Sequence, residues 1–297
     1  MVFNGQFKNE ILPDQVHILN VAFLVPELRR EFGGCAGNIA YNLQLLGGQG
    51  APMATAGQDF APYAKWISDK GIDDRYIKII DGAYTAQAYI TTDMDDNQIT
   101  AFHPGAMNHA HEQTVPADGS VTLGMVSPDG RQAMIDHAEQ FAAAGIPFIF
   151  DPGQGLPMFG GEELSRFIEL ATYVTVNDYE SQMLKERTGL TTEQIAGQVE
   201  ALIVTRGGEG SHIHTDGQLI EIPSAPIEKV TDPTGCGDAF RAGLIFGLQQ
   251  GRDWATTGRI ASLMGAIKIE QHGTQNHSLD RESFSLRYES AFAQQLD

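Results

Sequence analysis

The chain has 297 residues, 42% of them hydrophobic, and a formal net charge of -19. This fits one large α/β unit with an appendage and excludes global disorder. So acidic a surface argues against nucleic acid and membranes as partners, and no apolar run approaches the ~20 residues that span a bilayer. The first ten residues lack the basic and apolar regions of a secretory leader, and Cys35 and Cys236 cannot make a disulfide framework, so a reduced cytoplasm is the expected location.

In chain order, Val16–Val25 reads as a strand ended by Pro26. Residues 86–92 and 98–102 flank the turn formers 93–97 and predict a hairpin with one wet and one covered face. Three short apolar runs follow, at 147–150, 173–176 and 201–205, each running into polar or glycine residues. They predict strands of a parallel sheet buried on both faces, with ligand groups at the carboxyl ends. From Asp238 to Ile269 the pattern is helical, with Gly243 and Gly247 as interruptions. The histidines form no metal pattern, and His103, His272 and His277 read as polar loop residues.

The segment Thr234-Gly235-Cys236-Gly237-Asp238 precedes that helix. Two glycines around one small residue allow a tight turn whose amides converge with the helix dipole on one point. A carboxylate there can take a proton from a hydroxyl beside a bound phosphoryl group. The same string also suits a glycine turn with Asp238 as a plain helix cap. A thiol at a helix N-terminus, such as that of Cys236, tends toward a lower pKa.

Asp232-Pro233-Thr234-Gly235-Cys236-Gly237-Asp238-Ala239-Phe240-Arg241-Ala242-Gly243 resembles the C-terminal signature of the ribokinase/PfkB family of carbohydrate and nucleoside kinases. Gly33-Gly34-Cys35-Ala36-Gly37-Asn38, with Gly57-Gln58-Asp59, is similar to the N-terminal signature. Asn177-Asp178-Tyr179-Glu180 and Thr205-Arg206-Gly207-Gly208-Glu209-Gly210 match two further elements in family order. The resemblance implies a three-layer α/β/α core with a small β-sheet lid, the lid at about residues 1–30 and 80–103 and the core at 31–79 and 104–297. It implies ATP and Mg²⁺ as cofactors and Asp238 as general base. Gly235, Cys236 and Gly237 become the anion hole, and Asn177, Thr205, Gly207 and Gly210 the nucleotide contacts. Glu180 faces Mg²⁺, directly or through water, and Asp232 stands beside a monovalent cation such as K⁺. Gly33, Gly34 and Asn38 grip acceptor hydroxyls. A homodimer through the lid also follows from the resemblance.

Residues 98–107 and 151–157 resemble the bacterial adenosine/nucleoside kinase branch, which makes the 5′-hydroxyl of adenosine the expected acceptor. Phe102 either supplies an aromatic surface for the base or packs the hairpin onto the core. Gln154, after a strand end, can reach the acceptor. No arginine occurs in 151–161, so cationic help must come from Mg²⁺ or elsewhere. A sugar kinase, or a binding regulator without catalysis, are the alternative readings. Family members open on a core strand that ends in an acceptor-binding aspartate. Here Met1-Val2-Phe3 looks like the first lid strand and Asp14 lies in a turn, so a truncated or misassigned start, with weakened stability, is expected.

Overall fold

The computed structural model describes residues 1–11, 18, 20–95 and 97–296. Asp14 lies outside them, as does part of the expected strand at 16–25, and residues 20–25 carry no strand. Near the amino end is a short helix, α1 (Phe7–Glu10), and Val2 makes only isolated bridges, to Glu27 and to Thr92. Beside these bridges Phe3 stacks on Phe7, and Phe23 packs tilted against Phe3 and edge-on against Phe7.

Helix α2 (Cys35–Leu45) leads through β1 (Ala54–Ala56), α3 (Ala61–Asp69) and β2 (Ile77–Ile79) to the expected hairpin, β3 (Gln87–Thr92) and β4 (Gln98–His103). Asp93 closes its turn by accepting the amides of Phe7, Asp95 and Asn97. All six β4 residues are exposed, whereas Gln87, Ile90, Thr91 and Thr92 of β3 are half-buried, so cover is confined to β3. Asp59 holds the hairpin base, taking Thr85 N–H at 2.8 Å and the Gln87 amide at 2.9 Å.

The main sheet uses β5 (Gly124–Val126), then, after α4 (Arg131–Ala143), β6 (Phe148–Phe150). Helix α5 (Gly161–Leu170), β7 (Tyr173–Asn177), α6 (Asp178–Thr188), α7 (Thr192–Ala196), β8 (Ala201–Thr205), β9 (Ser211–Thr215) and β10 (Gln218–Ile222) follow. The order is β10-β9-β8-β7-β6-β5. Strands β5 to β8 run parallel, as expected at 147–150, 173–176 and 201–205. The antiparallel β9 and β10 make the sheet mixed, which the short apolar runs did not signal.

Side chains alternate across this sheet with the period of two that an extended chain imposes. Phe148, Phe150, Val174, Val176, Leu202 and Val204 face α4, α5 and α6. Ile149, Ala201, Ile203 and Ile213 face α2 and α8 (Cys236–Gln249). The result is a three-layer α/β/α core, completed by α9 (Trp254–Ile269) and α10 (Arg281–Phe292).

Gly243 and Gly247 do not interrupt α8. A Cβ on Gly243 would lie 2.6 Å from Ala261 Cα, so glycine lets α8 and α9 pack backbone to backbone. The helical run breaks instead at Gly251-Arg252-Asp253, where Asp253 caps α9 through Thr256 N–H. His277 does lie in the loop between α9 and α10, but not at the surface. It is buried beside Asn42, and burial pushes its pKa down to about 4.

Candidate active site

Gly235 is the N-cap of α8, in the left-handed region at φ 81°. A Cβ there would also stand 2.9 Å from Thr274 Cγ2, so two constraints demand glycine. No side chain caps α8, which leaves first-turn amides and the positive dipole end for a ligand. The Cys236 amide is an exception, because it donates to the Pro233 carbonyl at 3.2 Å. Burial pushes the Cys236 thiol up to about 11, opposite to the direction a helix N-terminus alone suggests.

Asp238 sits inside the first turn of α8, so it is not the helix cap that the bare string allowed. Its Oδ2 accepts the Asn38 side-chain amide of α2 at 2.7 Å. The bond joins the two glycine-rich segments, about 200 residues apart in sequence. Thr274 lies between the same segments, donating to the Phe32 carbonyl and filling the space beside Gly33 and Gly235. Gly34 caps α2 at φ 87°. Burial pushes Asp238 up to about 6; the Asn38 hydrogen bond and Arg241 oppose the rise, and Asp151 adds to it.

The paired ends of β7 and β8 bring Asn177 opposite Thr205. Asn177 and Glu180 form a reciprocal capping box on α6, so both have a structural task. Glu180 accepts the Asn177 amide through Oε2 only. Its pKa is raised, chiefly by burial, against the Asn177 hydrogen bond and Arg241. Gly207, at φ 53°, and Gly208 open onto free space, which suits phosphate groups. Gly210 is glycine for packing, since a Cβ would meet the Ile222 carbonyl at 2.0 Å. Thr205 Oγ1 donates only weakly, to the Val176 carbonyl at 3.4 Å.

No cluster of three or more His, Cys, Asp or Glu forms among the described residues. This donor set does not make a protein cage; were Mg²⁺ bound, Glu180 would be the residue to hold it, directly or through water, and the ion would neutralise phosphate charge. A monovalent cation at Asp232 does not fit. Its carboxylate is used by the Thr234 and Gly273 amides. Its carbonyl accepts the buried Lys268 ammonium at 2.8 Å, which also donates to the Gln271 carbonyl at 3.1 Å. The protein's own cation serves this loop.

Residues 151–161 hold no arginine, but Arg241, one turn beyond Asp238, brings a cation to the site from α8. It forms a buried pair with Asp151 at the end of β6, through Nη2–Oδ1 at 2.7 Å and Nε–Oδ2 at 3.1 Å. Its field reaches Asp238, Asp151 and Glu180 together. Arg241 lies within the signature segment, but nothing local in the sequence links it to Asp151. Gln154 is exposed in the turn after β6. Phe102 is 55% exposed on β4, so it does not pack the hairpin onto the core.

Residues 7–281 match the pfkB family of carbohydrate kinases. The chain belongs to that family. It is thus an ATP-binding phosphotransferase, near the family's nucleoside kinases. The nucleoside kinase of Methanocaldococcus jannaschii is 30% identical over 260 residues, covering 87% of this chain and 85% of that one. The structure of the Burkholderia thailandensis nucleoside kinase in complex with inosine superposes at a TM-score of 0.91 with 50% identity, covering 99% and 95% of the two chains. That of the M. jannaschii nucleoside kinase gives 0.89 with 29% identity, covering 97% and 94%. Among the described residues no helix is long and apolar enough to cross a membrane.

Proposed function

We propose that this kinase transfers the γ-phosphate of ATP to the 5′-hydroxyl of a purine nucleoside, adenosine or inosine, with Asp238 as the general base. The observation that carries the reading is the buried Asp238 carboxylate, held by Asn38 at the uncapped start of α8. With its pKa pushed up to about 6, it is ionised at neutral pH and still basic enough to accept the acceptor's proton. The Gly235–Gly237 turn holds the transferring phosphoryl group, whose reaction needs positioning and charge stabilisation more than covalent help. Mg²⁺, when bound, neutralises phosphate charge. Likeness to nucleoside kinases, one of them holding inosine, supports the acceptor class. The exposed Phe102 ring on the hairpin offers a stacking surface for the base as a lid closes.

ADP release from Mg-ATP across adenosine, inosine, guanosine, cytidine, ribose, fructose and fructose 6-phosphate tests this. Adenosine or inosine should lead. A preference for a free sugar by more than an order of magnitude would make the chain a sugar kinase, and acceptor binding without ADP would make it a regulator.

Because the Lys268 ammonium already serves the Asp232 carbonyl, turnover is expected to be equal in KCl and NaCl at matched ionic strength. A several-fold gain in KCl would show a metal-ion site that the Lys268 arrangement does not account for.

A further inference from the structure

The Asn38 amide has two ends of similar shape and opposite character. Its Nδ2 donates to Asp238, but turned over it would set an oxygen lone pair against the carboxylate. Something behind Asn38 must fix which end faces forward. Gln275, in the segment after α9, fills that place and is only 2% exposed. Its Nε2 donates to Asn38 Oδ1 at 2.9 Å and to the Tyr63 hydroxyl at 2.6 Å. Its Oε1 accepts the Trp66 indole N–H at 2.9 Å.

An indole N–H donates and never accepts. Trp66 therefore requires the oxygen of Gln275, which turns the Gln275 amino group toward Asn38. Asn38 must then answer with its oxygen, and its own amino group is left for Asp238. Tyr63 agrees with this direction, accepting from Gln275 and donating to the Gly33 carbonyl at 2.9 Å. The packing makes room for the chain at Gly37. A Cβ there would stand 2.1 Å from the Tyr63 hydroxyl and 3.4 Å from Gln275 Nε2. Trp66 is itself clamped, stacked on Tyr41, tilted against Phe32 and covered by the Lys70 ammonium 4.6 Å from its ring.

We propose that Trp66 and Gln275 are positioning residues for phosphoryl transfer, setting the direction of a hydrogen-bond chain that runs through Asn38 and ends on Asp238. Neither residue lies in a segment that resembles a family signature. The proposal rests on Asp238 being the base, and its test separates the two claims.

Trp66→Phe keeps an aromatic ring in place and removes the N–H; Gln275→Met keeps length and removes both polar ends. Each is expected to lower kcat about tenfold, the scale of one hydrogen bond to a charged group, with KM for ATP unchanged. Each should also move the acid limb of kcat/KM to higher pH, because Asp238 loses a donor that favours its ionised form. The titratable and charged groups around Asp238 are Asp151, Arg241, Cys35, Tyr63, Cys236 and Lys268, and both substitutions leave all of them in place.

The double variant should lose no more than Gln275→Met alone, since both act through one chain. Additive losses overturn the proposal. So does a wild-type acid limb in a folded Trp66→Phe, checked by its melting temperature. If Trp66→Phe does not fold, the acid limb of Gln275→Met decides by the same criterion. Should Asp238→Asn keep normal turnover, the base assignment fails and the chain has no catalytic end to serve; with Asp238→Asn inactive and both limbs unmoved, only the chain proposal falls.

Discussion

Asp238→Asn is expected to fold, bind ATP and lose at least ~10²-fold in kcat, the usual scale for a general base. Near-normal turnover in the ADP-release assay would remove Asp238 from that role. The same substitution carries a stability signature of known sign. Burial raises the folded-state pKa of Asp238 from 3.8 to about 6. A carboxyl raised in this way contributes fully to stability below its unfolded pKa, and that contribution is lost as pH rises through about 6. At neutral pH the ionised side chain thus opposes folding, by at most about 3 kcal/mol for a shift of roughly two units. Asparagine does not titrate. The variant should gain stability over the wild type above pH 6 and show no gain below pH 4, as urea denaturation across pH would reveal. An inactive variant that is more stable at neutral pH fits a site that holds its base at a cost to the fold.

Arg241→Met should be the most damaging single change to stability at the site. Its pair with Asp151 is buried on both sides, with side-chain exposures of 8% and 6%. Removing the guanidinium leaves a buried carboxylate without its counter-charge, which costs about 3–5 kcal/mol. Ser127 Oγ, at 3.2 Å from Asp151 Oδ2, is a weak substitute. Urea midpoints of Arg241→Met, Asp151→Asn and the double variant check this. The double variant should recover much of the loss, because the orphaned charge is gone. A double variant as unstable as the single one would mean that Arg241 acts by packing rather than by charge. Residual activity should show its acid limb at higher pH, since Arg241 also holds the Asp238 pKa down.

The two glycine-rich segments, the three buried parallel strands and the hairpin were legible in the sequence because each is a local pattern. Glycines at 34 and 235 mark left-handed backbone, continuous apolar runs mark strands covered on both faces, and a polar cluster between alternating runs marks a turn. Local patterns also misled. Gly243 and Gly247 look like helix breakers, yet they are what lets α8 and α9 meet. Cys236 at a helix start looks activated, yet burial outweighs the dipole. Asp232 looks like a cation ligand, yet its carboxylate binds two amides and its carbonyl takes Lys268 from α9.

For Asp238, the residues from 232 to 243 determined by themselves that a carboxylate stands at the start of a glycine-opened helix, because that placement depends only on neighbouring residues. What its surroundings make of that carboxylate was decided by the tertiary structure. Asn38 reaches it from α2, Arg241 is pinned by Asp151 from β6, and Gln275 and Trp66 back Asn38 from two further segments. Hydrogen bonds and ion pairs between residues about 90 to 240 apart leave no spacing to read. They exist only once the sheet has brought α2, α3, α8 and the segment after α9 around one carboxylate.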